Sequence, residues 1–205
     1  MTDSLSINAR AGIEVRAELQ KNHCVILIQM TLAVAIAIRL TGSELVPADT
    51  LLRAQRWADA TFAHAGIRVT WVSCGAGLPN DPCGAPAAPV VLSLQILPRI
   101  PLNVTADCMG YAVVPPTGAG FSGYAAVSYP QVVAVAGQCE KSVPAVLGAA
   151  IAHEVGHLLL GPKAHSGGVM SPRLSCEQLR RASRGDLWFA TDEARRMRAN
   201  VALRR

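Results

Sequence analysis

Aromatic residues are scarce in this 205-residue chain: Phe, Trp and Tyr make up 4% of it. So thin a supply excludes a stacking platform for bases or sugars. Charged residues are also few, at 16% against 51% hydrophobic, and that balance excludes a disordered chain. The six cysteines form no C-x-x-C pair, which excludes a zinc knuckle. The uncharged apolar run at 24–38 falls short of the roughly 20 residues that span a bilayer, so no stable membrane span is expected. No internal repeat or low-complexity tract is present.

What charge there is lies at one end. Residues 171–205 hold nine arginines and four acids, which accounts for the whole formal excess of +5. No nucleic-acid motif accompanies this basic stretch, so no nucleic-acid partner is expected and the arginines read as a solvated helical face. The length fits one domain with a substantial core.

Residues 24–38 match a signal-peptide core in length, with Ala35-Ile36-Ala37 as an A-x-A-like site. This divides the chain into an N-terminal segment, 1–37, and a domain, 38–205. The stretch before the run is long and contains acids, and 34–40 alternates in a way that equally fits a first β-strand. A secreted or periplasmic location is expected, with a cytoplasmic one as the alternative. Cys74 and Cys83 flank the Gly/Pro/Asn loop GAGLPNDP and are the first candidate disulfide, which would suit an oxidising compartment. Cys108 and Cys139 are a second candidate pair.

The middle of the chain alternates in type. Apolar groups at Leu51, Leu52, Ala54, Ala58, Phe62 and Ala65 predict a helix over 48–65, stopped by Gly66. Residues 67–72 alternate as a half-buried strand, and 89–97 form a continuous apolar strand ended by Pro98 and Pro101. Residues 102–123, rich in Gly, Pro and Thr, predict an irregular surface excursion. GYAAVSY, 123–129, predicts a late strand and is the candidate edge strand. The order β-α-β-β-β-α implies an α+β fold, a mixed sheet with helices packed on it.

The chemistry follows. Residues 143–160 form a strong helix pattern with Pro144 in its first turn and Gly161-Pro162 at its end. His153 and His157 stand at i and i+4, so both imidazoles project from one face and can share one tetrahedral zinc. Glu154 lies beside the metal rather than on it, where it can serve as general base toward a metal-activated water. A third protein ligand is needed. Gly161 lets the chain reverse, and Lys163-Ala164-His165 brings a third imidazole back.

The pattern HExxHxxxGxxxH, followed by Gly168-Val169-Met170-Ser171-Pro172, resembles the zincin metallopeptidases and the metzincin branch in particular. Its glycine comes one residue late and its third histidine two residues late relative to the metzincin motif. In the related gluzincin branch a glutamate from a later helix completes the site, and that resemblance makes Glu177 the rival third ligand. The longer spacing is similar to that of a group of small bacterial metallopeptidase-like proteins, and the likeness extends softly over most of 35–200. The resemblance implies a zincin-like fold, with the active-site helix followed by C-terminal helices. It implies Zn2+ as cofactor, His153, His157 and His165 as ligands, Glu154 as base and Met170 as the floor of the site. It also implies a peptide or protein substrate held on an edge strand. Gly123, Tyr124, Ala125 and Ala126 are the expected substrate-binding residues. No Tyr follows Met170, so an oxyanion donor would have to be Tyr111, Tyr124 or another group. Two functions follow as expectations: a zinc-dependent endopeptidase, or a catalytically silent zinc-bound scaffold or regulatory binding module. The sequence does not specify an oligomeric state.

Overall fold

The computed structural model describes residues 34–75, 83, 88, 90–101, 108–115 and 123–204. Residues 1–33, with most of the apolar run expected to act as a signal core, lie outside the described residues.

Alternation in the first described segment places Ile36, Ile38 and Leu40 on one face, all fully buried, and makes β1, Val34–Thr41. The expected boundary between residues 37 and 38 therefore falls inside a strand. Val34 to Ala37 pair in parallel register with Ile67 to Thr70, so a chain beginning at residue 38 would lose half of β1. After a single 3-10 turn at Ser43–Leu45, α1 runs Ala48–His64 as its periodicity predicts and buries Ala54, Ala58 and Phe62. Then come β2, Ile67–Ser73, and β3, Val91–Leu97.

The stretch expected to be irregular between residues 102 and 123 contains a strand. β4, Gly110–Val113, pairs antiparallel with β5, Tyr124–Ser128. The strand order is β2-β1-β3-β5-β4, with the first four strands mutually parallel. This corrects the expectation that residues 123–129 form an edge: β5 is flanked by β3 and β4, and among the described residues the sheet's edges are β2 and β4. The expected strand also ends one residue early, because Tyr129–Gln138 is a helix, α2, with Pro130 in its first turn. A proline there costs nothing, since the first N–H groups of a helix have no internal partner.

α3, Val143–Leu160, is buried from Ala145 to Leu159. A helix apolar on all sides must be enclosed on all sides. Here α1, α2 and the sheet face carrying Leu92, Leu94, Ala125 and Val127 enclose it. Among the described residues it is the one helix long and apolar enough to cross a membrane, and its burial is that of a core helix.

α4, Cys176–Arg184, begins with a full capping box between Ser175 and Gln178, and α5, Thr191–Ala202, closes the described chain. Both are tied inward by side chains. Trp57 Nε1 donates to the Ala182 carbonyl (2.6 Å), Arg198 Nη1 to Ala65 (2.7 Å) and Asn200 Nδ2 to Leu159 (2.8 Å). The mixed five-stranded sheet packed against helices is an α+β fold, as the element order implies.

Cys74 and Cys83 are disulfide-bonded as expected. Cys139 pairs with Cys176, not with Cys108. The pairing joins the residue that caps α2 to the first residue of α4, two ends that packing on α3 brings together and sequence spacing does not reveal.

Candidate metal centre

Helical spacing places His153 and His157 one turn apart on α3, and their Nε2 atoms lie 3.2 Å from each other. Gly161, at φ 102°, ends α3 and turns the chain back. His165 then arrives with its Nε2 3.0 Å from that of His157. The ligand atoms of all three histidines fall within 4.8 Å of one another, a spacing that can hold a metal ion. In a tetrahedral site with metal–nitrogen bonds of about 2.0–2.1 Å, ligand atoms stand roughly 3.3 Å apart. Glu177 takes no part: it is exposed on α4 and ion-paired with Arg180. His165 completes the cluster.

Two of the three rings are oriented by the backbone. His153 Nδ1 donates to the Val169 carbonyl (2.8 Å) and His157 Nδ1 to the Gly161 carbonyl (3.2 Å). A carbonyl can only accept, so each ring carries its proton on Nδ1 and turns the Nε2 lone pair toward the cluster. Burial pushes the His153 pKa down to about 4, against the opposing pull of its bond to Val169, and burial lowers that of His157 as well. Both rings are therefore neutral near pH 7, the state a metal ligand requires.

Glu154 follows His153 and is buried, and that burial pushes its carboxyl up to about 8. The nearest wall is β4. A Cβ placed on Gly110 would stand 2.8 Å from Glu154 Cγ and 3.0 Å from Oε1, so only glycine lets the edge strand come this close. Met170 is fully buried in the 3-10 turn Gly168–Met170 beneath α3. A Cβ on Gly156 would meet its sulfur at 2.5 Å and Phe189 at 3.1 Å. The small residue between Glu154 and His157 thus admits the methionine directly under the ligand pair. Gln178 secures the turn from α4, donating to the Ser171 hydroxyl and to the Gly168 carbonyl.

A cleft of about 690 Å3 opens over the histidines and Glu154. Met109 to Ala112 form one wall, and α2 with the segment after Met170 forms the rest. Of the residues expected to bind substrate, Gly123, Tyr124, Ala125 and Ala126 do not line this cleft, and both edges of β5 are already paired. Tyr111 does line it, packed edge-on against Tyr124 with ring centroids 6.1 Å apart. Burial and the neighbouring Tyr124 hydroxyl raise the pKa of Tyr111, so it keeps its proton at neutral pH.

Gly110, the two carbonyls that orient the ligands, and Gln178 carry no signal in the motif itself. Only the S-x-x-Q capping pattern at 175–178 marks one of them in the sequence. Comparison with models of known protein families and with curated proteins finds no match to this chain, so the site rests on its own residues.

Proposed function

We propose that this chain is a zinc-dependent metallopeptidase of zincin, metzincin-like type, cleaving peptide bonds with Glu154 as general base. One observation carries the proposal: three convergent imidazoles share a cleft with a buried glutamate that ligates nothing in the cluster. A site built only to hold a metal has no need of that carboxyl group.

The donor set fits zinc: three imidazoles converge, with His157 Nε2 at 3.2 Å from that of His153 and 3.0 Å from that of His165, close to the spacing of tetrahedral ligand atoms. Zinc bound there would supply Lewis acidity toward a water and the scissile carbonyl. Glu154 would take the proton of the attacking water and hand it to the departing amine nitrogen. Its raised pKa in the metal-free site suits a group that must hold a proton between those two events. Tyr111, protonated and in the cleft wall, would donate to the carbonyl oxygen. The exposed edge of β4 would hold an extended peptide through main-chain hydrogen bonds, a mode that sets register more than side-chain preference. The two disulfides support an exported protein.

Cleavage of denatured casein by the zinc-loaded protein tests the proposal. Activity in the parent that Glu154→Gln abolishes, with zinc content equal in both, is expected. Bound zinc with no cleavage by the parent would instead favour the scaffold function.

A further inference from the structure

His165 differs from the other two cluster histidines in what holds it. His153 and His157 are fixed by a helix and by hydrogen bonds from Nδ1 to carbonyls. His165 lies between α3 and the 3-10 turn, exposed, and its Nδ1 has no hydrogen-bond partner among the described residues. Something else must fix its backbone.

The neighbouring residue is anchored twice. Ser166 N donates to the Met170 carbonyl (3.2 Å), and Ser166 Oγ donates to Glu193 Oε1 on α5. Glu193 is 1% exposed, and its other oxygen accepts from Ala190 N (2.8 Å). The carboxylate thus sits in the first turn of α5, where the unpaired N–H groups and the helix dipole favour negative charge. Because a carboxylate only accepts, the serine hydroxyl must donate, and its direction is set. α5 is in turn bound to the end of α3 through Asn200 and the Leu159 carbonyl. The helix bearing two cluster histidines and the loop bearing the third are therefore referenced to the same element.

We propose that the Ser166–Glu193 hydrogen bond positions His165 for metal binding, making Ser166 and Glu193 positioning residues for the third ligand. The proposal rests on the metal-site reading of the cluster and adds a residue pair that the HExxH motif does not contain.

Ser166→Ala in the full-length chain is the most direct test, because it leaves the Glu193 cap on Ala190 intact. Zinc affinity, read by chelator competition, should fall about 10–100-fold, the range found when an outer partner of a metal ligand is removed. The visible spectrum of the cobalt-substituted protein should change with it, while the metal-free protein still unfolds in one cooperative transition, at a melting temperature lowered only by the loss of the Glu193 Oε1 partner. Ser166→Thr, which keeps a hydroxyl, should restore affinity to within about threefold on the same scale. In a His165→Ala background the Ser166→Ala change should cost nothing further. A zinc-binding parent whose Ser166→Ala variant keeps parental affinity and an unchanged cobalt spectrum would overturn the proposal alone. A parent that takes up no zinc would overturn the metal reading beneath it.

Discussion

His153 and His157 turn Nε2 atoms toward each other at 3.2 Å while each Nδ1 is committed to a backbone carbonyl. With the protons held on Nδ1, neither Nε2 can donate to the other, and two lone pairs are left facing across a buried gap. A cation between them turns that repulsion into coordination. Metal removal should therefore lower the melting temperature, and added zinc should raise it with concentration, stabilising the fold by about 2.7 kcal/mol at a hundredfold excess over Kd. His153→Ala and His157→Ala should lose this zinc dependence. A parent that melts identically with zinc and with chelator would be inconsistent with it.

A substitution at Gly110 would separate metal binding from the proposed cleavage. Its Cβ would press on Glu154 and on the backbone of β5 at Ala126, so Gly110→Ala should displace the carboxylate, the edge strand or both. Cleavage should fall at least tenfold, on the order of the 10²–10⁴-fold that a positioned acid–base group contributes, while zinc stoichiometry stays at the parental value. Equal loss of zinc and activity would mean that the strand supports the ligands rather than the base.

Gly156 and Met170 make a packing contact that can be tested without activity. Gly156→Ala places a methyl against the Met170 sulfur and the Phe189 ring in a fully buried layer. Overpacking of this kind costs about 1–3 kcal/mol, which denaturant unfolding of the metal-free protein will show. Met170→Leu, close to volume-conserving, should cost less than about 1.5 kcal/mol. Unchanged unfolding in Gly156→Ala would mean that the methionine has room to move aside.

Two buried groups give the metal-free protein opposite pH dependences. His153 is lowered from 6.5 to about 4, so the folded state resists its protonation and stability falls as pH drops from 6.5 toward 4. Glu154 is raised from 4.5 to about 8, so the folded state retains its proton and stability falls as pH rises from 4.5 toward 8. Between about 4.5 and 6.5 the two slopes oppose each other. From pH 6.5 to 8, metal-free parent should lose about 2 kcal/mol that Glu154→Gln does not lose. Parallel urea midpoints for the two proteins across that interval would contradict the assignment.

The structure shows which parts of this site a sequence can carry. His153, Glu154 and His157 are legible because helix geometry alone brings i and i+4 together, and α1 and β2 because their periodicities are local. β4 is not: four residues, Gly110–Val113, inside a Gly/Pro-rich stretch become a strand only by pairing with β5. That omission is why substrate binding is expected on residues 123–126, when the free edge belongs to β4. α2 is concealed for a different reason, since β5 passes into it with no intervening loop and Pro130 is the sole local mark of the change. Glu193 lies 27 residues from Ser166, and nothing near either residue announces their contact.

We propose that His153, His157 and His165 together hold one zinc ion. Metal analysis of the purified full-length chain, beside His153→Ala, His157→Ala, His165→Ala and Glu177→Ala, tests it most directly. One zinc per chain in the parent and in Glu177→Ala, with little or none in the three histidine variants, is the predicted result. A parent without zinc, or histidine variants that retain it, would contradict the claim.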